Sequence, residues 1–148
     1  MSILIFLIPF FTYLITLSPS IHAGDSGELI SSGYALGIPH PPGYPLYCII
    51  SKILTVLIPF GNIAYRINLM SAIFASITTL LLYTLLKKLQ ITNYKLQIFK
   101  FEICNFEFVI TLCFAFSRTF WCEAVEGEVY TLNMFFVVIV LYFVFFYK

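Results

Sequence analysis

The stretch IAYRINLMSAIFASITTLLLYTLL, residues 63–86, decides the class of this chain. It is apolar for longer than the roughly 20 residues that cross a bilayer as a helix. Its single charge, Arg66, and the amide Asn68 sit at its start, where they reach water or a protein cavity. Lys87-Lys88 closes it. The pattern predicts a transmembrane helix over 63–86.

The rest of the chain agrees with that reading. Of 148 residues, 61% are hydrophobic and only 10% are charged, against about 25% charged in an ordinary soluble domain. Mean hydropathy is +0.98. Too little polar surface exists to cover a globule, so the expected class is an all-α integral membrane protein. A net charge of +1 with no basic stripe excludes a nucleic-acid partner. Cys48, Cys104, Cys113 and Cys122 show no ligand-like spacing, and no metal or cofactor is expected.

Working outward, three more apolar runs appear, giving about four spans with interfacial helices on the outer face. Residues 3–17 form the first, with a signal peptide as the rival reading, although no Lys or Arg precedes the run. Residues 18–62 are an outer loop with short helices. Ser26 to Leu36 reads as one helix, capped by Asp25 or Ser26. Pro39, Pro41, Pro42 and Pro45 then enforce a turned path. Leu46 to Ile58 reads as an interfacial or re-entrant helix. Residues 87–107 read as a cytoplasmic low-complexity insertion, because Lys88-Leu89-Gln90-Ile91 recurs as Lys95-Leu96-Gln97-Ile98. Residues 108–121 form the third span, 122–133 a second outer loop, and 134–147 the fourth span. Five of the eight basic residues (Lys87, Lys88, Lys95, Lys100 and Lys148) fall inside if the N-terminus is cytoplasmic. That topology gathers Asp25, Glu28, His40, Glu123, Glu126 and Glu128 on the outer face.

Ionisable groups beside a membrane are costly unless hydrated, paired or used. Asp25 and Glu28, three apart, share a helix face. A carboxylate beside apolar surface suits proton abstraction from a hydroxyl, whereas helix capping explains the same spacing. His40 either binds phosphate or orients a carboxylate, or is a solvated loop residue. Tyr44 lies in the stiff Pro41-Pro42-Gly43-Tyr44-Pro45 turn. Arg66 and Arg118 suit a lipid phosphate or simple snorkelling. Glu126 and Glu128 would lie about 200° apart on a helix. Glu128, next to the following span, is therefore the better candidate for a site. Trp121, Tyr44 and Tyr130 fit an aromatic interface belt or a sugar-stacking surface.

Four ordered motifs carry a resemblance. They are Gly24-Asp25-Ser26-Gly27-Glu28-Leu29; His40-Pro41-Pro42-Gly43-Tyr44-Pro45-Leu46; Pro59-Phe60-Gly61-Asn62 through Arg66-Ile67-Asn68-Leu69-Met70-Ser71-Ala72; and Phe116-Ser117-Arg118-Thr119-Phe120-Trp121 through Glu128-Val129-Tyr130-Thr131-Leu132-Asn133. Together they resemble the multi-pass membrane family long called domain of unknown function 2723, which includes a eukaryotic protein O-mannosyltransferase. The resemblance covers most of the chain except the 87–107 insertion. It implies the N-terminal part of a GT-C-type glycosyltransferase in a cell, inner or ER-type membrane. Such an enzyme takes a sugar from a polyprenyl-phosphate donor to a protein or glycan acceptor on the outer or lumenal face. Carried over, catalysis falls on Asp25, with Glu28 as second acid, and His40 and Tyr44 shape the substrate site. Two departures stand out: the family's members are much longer, and Arg118 replaces an expected proline. A non-catalytic truncated membrane protein or partner subunit is the alternative reading. A transporter is a third, but the charges sit in loops and no paired broken helices appear.

Overall fold

A computed structural model of the chain describes residues 2–92 and 106–146. Among these residues every element is helical: α1 (Ser2–Thr16), α2 (Ser26–Ala35), α3 (Pro45–Leu57), α4 (Ile63–Thr92), α5 (Phe106–Ala115), α6 (Arg118–Ala124) and α7 (Tyr130–Phe146).

α4, 30 residues long and thus about 45 Å, is the hub. Among the described residues it is the one helix long and apolar enough to cross a bilayer, through Ile63–Leu89. α1, α5 and α7 pack along it. α2 and α3 lie on its first turns through Ala64, Ile67 and Met70. α1 and α6 meet it at Leu69, Ala72 and Ala75. The buried face of α4 is built from small residues: Ser71, Ala72, Ala75, Ser76, Thr78 and Thr79 are all fully enclosed. Small side chains let helix backbones approach closely, and their hydroxyls bond to nearby carbonyls. Ser76 and Thr78 donate to their own helix, at Ala72 O and Phe74 O. Outward, α1 and α7 present Ile3, Phe11, Ile15, Val140, Phe143 and Val144.

Pro9 lies inside α1 and has no N–H for the Ile5 carbonyl. Thr79 Oγ1 reaches across from α4 to that carbonyl at 3.3 Å. The Tyr13 hydroxyl donates to Ala115 O at 2.7 Å, fastening α1 to the end of α5.

Two boundaries differ from the sequence expectation. The run 108–121, read as one span, is two helices broken at Phe116 and Ser117. Ser117 is extended, and both its backbone N–H and its hydroxyl donate to Phe114 O. Serine competes with the helix in this way, and hydropathy does not register it. Secondly, α4 runs past Lys87-Lys88 to Thr92. Most of the 87–107 insertion, including the second copy of its repeat, lies outside the described residues.

α2 and α3 form a close pair over the start of α4. A Cβ on Gly33 would stand 2.7 Å from Ser51 Cβ, so glycine sets their separation. The turn before α3 closes through Gly43 N–H to His40 O at 3.0 Å. It requires positive φ at Gly43 and Tyr44, after which Pro45 opens the helix at a position where no N–H is needed.

Candidate functional site

The first turn of α2 and the proline-rich turn meet at one point. Glu28, in that first turn, accepts the His40 backbone N–H at 2.7 Å on Oε1. Its Oε2 lies 3.0 Å from His40 Nδ1. The other ring nitrogen, Nε2, lies 4.0 Å from Asp25 Oδ2. Tyr44 packs edge-on against the His40 ring, centroids 5.5 Å apart. The sequence makes this arrangement because Pro39 and Pro41 stiffen the approach to His40 and Gly43 turns the chain back.

Asp25 occupies the N-cap position of α2, but its side chain makes no capping hydrogen bond. Its backbone carbonyl starts the helix by accepting Leu29 N–H. The side chain is two-thirds exposed, at 66%, and so is available to a ligand.

The His40 ring N–H and backbone N–H hold the Glu28 carboxyl below its ordinary range. Reciprocally, Glu28, with help from Asp25 and Glu128, raises the pKa of His40. The two partners respond to pH in opposite senses. The Glu28 contribution to stability is lost as pH falls through its depressed pKa, and that of His40 is lost as pH rises through its raised one. The pair is therefore complete between those two limits.

The second acidic segment arrives between α6 and α7. Burial, then the charges of Glu123, Asp25 and Glu126, push the Glu128 carboxyl up to about 7. Its charge is felt at His40 and at the buried Tyr47 of α3. The two acidic segments thus share one electrostatic field. Two contacts bind them physically. Ser18 N–H donates to Val125 O at 3.0 Å. Fully buried Asn68 donates from Nδ2 to Ser18 O and Ser20 O, while Gly127 leaves room for its Oδ1.

Residues 25–148 match the family described as Protein O-mannosyl-transferase TMEM260 N-terminal domain. The chain belongs to this family. It is 35% identical over 127 residues to the mouse protein O-mannosyl-transferase TMEM260, covering 84% of this chain and 16% of the mouse protein. The Dictyostelium discoideum protein O-mannosyl-transferase tmem260 is 30% identical over 142 residues, covering 95% of this chain and 16% of that protein. The chain thus spans about a sixth of the length of these curated relatives. No solved structure matches it.

Within this TMEM260-type N-terminal domain, four of the sequence-derived candidates come together: Asp25, Glu28, His40 and Tyr44. Glu128 joins them through its field. Arg66 does not. Its Nε donates to Phe60 O and Gly61 O and its Nη1 to Thr55 O. The guanidinium is thereby committed to the last turn of α3 and the loop after it, because a helix C-terminus leaves acceptors unpaired. Sequence reading missed His22, whose Nε2 lies 3.2 Å from Glu126 Oε1. No local pattern links residues so far apart. It also missed Asn68 as the amide that joins the two outer segments. The only signal was an amide inside an apolar run. Among the described residues no cluster of side chains is suited to a metal ion.

Proposed function

We propose that this chain is the N-terminal catalytic part of a membrane glycosyltransferase of GT-C type. It moves a sugar, mannose by kinship, from a polyprenyl-phosphate carrier to an acceptor hydroxyl on a protein at the outer or lumenal face. The observation that carries the reading is the family match, which begins at Asp25 itself and extends through Glu128. The outward aliphatic faces of α1 and α7 support immersion in lipid. α4 serves as a central span, with α1, α7 and the broken α5–α6 pair as the remaining ones.

The chemistry needs little. The acceptor oxygen attacks the anomeric carbon, and the bond from that carbon to the phosphate oxygen breaks. Its electrons leave with the polyprenyl phosphate, and the hydroxyl proton goes to Asp25. The donor is already activated, so orientation and charge placement supply the rate. Asp25 is the base because its carboxylate is exposed at a helix start and makes no capping bond. The paired Glu28 and His40, with Tyr44 and Glu128, line the substrate side.

Transfer from a polyprenyl-phosphate sugar to an acceptor peptide, measured on the whole encoded protein in membranes, tests this. Asp25→Asn is expected to lower kcat by roughly 100-fold or more, the scale of a lost general base. Unchanged transfer would remove Asp25 from that role.

A further inference from the structure

We infer that His40 is a positioning residue for Asp25: Glu28 fixes its ring, and the Nε2 left over stands beside the Asp25 carboxylate and holds it toward the acceptor. This rests on Asp25 as the base.

Three distances carry it. Both oxygens of Glu28 are taken by one residue, through the His40 backbone N–H at 2.7 Å and ring Nδ1 at 3.0 Å. A carboxylate so engaged is a poor proton acceptor and a good anchor. It fixes the ring orientation and which nitrogen is left over. The leftover Nε2 stands 4.0 Å from Asp25 Oδ2, too far for a hydrogen bond but close enough for a charge pair, softened by solvent because both side chains are exposed. Asp25 thus keeps its lone pairs for the acceptor while feeling a cation behind it.

The groups facing His40 from each neighbouring element agree. Glu28 and Asp25 approach from the start of α2, Glu128 from the segment before α7, and Tyr44 from the turn. Every charged one is an acid. A charged His40 gives Asp25 a counter-ion among these acids. The order Glu28, His40, Asp25 therefore sets an upper pH limit on turnover, the loss of the His40 proton.

The pH dependence of kcat on the whole encoded protein tests this. His40→Asn keeps the backbone N–H and a side-chain donor for Glu28, so the turn is retained, but it carries no charge toward Asp25. Its alkaline limb should vanish. The kcat loss at the optimum should be roughly 10- to 100-fold, the scale of a misplaced reacting group. Glu28→Gln should keep the alkaline limb and move it to lower pH. Titration of ring-labelled histidine by NMR reads the same pair without activity. The sequence has two histidines, so His22→Gln leaves His40 alone. In that background Glu28→Gln and Asp25→Asn should each lower the His40 midpoint. Profiles of His40→Asn and Glu28→Gln that overlay wild type, or a midpoint indifferent to both carboxylates, overturn the inference. If Asp25→Asn is inactive while those profiles overlay, only the pairing fails. If Asp25→Asn transfers normally, the base assignment fails first.

Discussion

The carboxyl groups of the two acidic segments are sorted by their surroundings. Glu28 is donated to from two sides and stays ionised. Glu128, half-buried and crowded by Glu123, Asp25 and Glu126, is pushed up to about 7. Its proton count therefore differs between folded and unfolded chains above the ordinary value of 4.5. The folded protein binds more protons there, so stability falls as pH rises from about 4.5 to about 7. Glu128→Gln is expected to remove that slope. The variant should match wild type at acid pH and exceed it by about 1–2 kcal/mol above pH 7, roughly half the full linkage value because the side chain is partly solvated. Melting temperatures across the pH range check this, and a wild-type curve without the slope would count against the burial argument. Of these residues, Asp25, Glu28, His40, Tyr44 and Glu128 were legible beforehand, because charge is conspicuous in an apolar chain. The pairing of Glu28 with His40 was not, since it depends on how the proline turn folds back onto α2.

At the level of elements, the α2–α3 pair is set by a single absent side chain. Gly33→Ala places a Cβ 2.7 Å from Ser51 Cβ, and the two helices must part. Overpacking of this kind costs about 1–3 kcal/mol. Because α2 carries Glu28 and α3 follows the His40 turn, the shift should also loosen the Glu28–His40 contact. Chemical unfolding of Gly33→Ala alone and combined with Ser51→Gly measures it. The second change removes the opposing Cβ and should recover part of the loss. No recovery would place the damage elsewhere. Helix positions were largely readable from apolar runs and prolines. The break at Ser117 was not, because Phe116, Phe120 and Trp121 keep the run greasy while the serine bonds satisfy a carbonyl locally.

For the whole molecule, the apolar stretch 63–86 announced the hub, and the structure adds how neighbours seat on it, through small residues that hydropathy averages away. The proposed topology puts the turn 40–43 and the segment 93–105 on opposite sides of the membrane. An N-glycosylation acceptor inserted in 40–43 should be modified during synthesis in ER-type membranes, and one in 93–105 should stay bare. The reverse pattern would invert the assignment and move Asp25 away from the lumenal face. The chain should also resist alkaline extraction from membranes.

The Asn68 amide has a mechanical consequence. It grips the segment after α1 at Ser18 and Ser20, and Ser18 in turn grips Val125. The floor beneath both acidic segments is thereby stitched to the top of α4, and Glu128 rides with the hub instead of flapping as a jaw. The opposite wall, the turn of residues 39–45, is tied to α2 by the solvent-exposed Glu28 contacts. Floor and wall thus answer to different forces: a buried amide holds the one, a solvent-screened ion pair the other, and added salt loosens only the second.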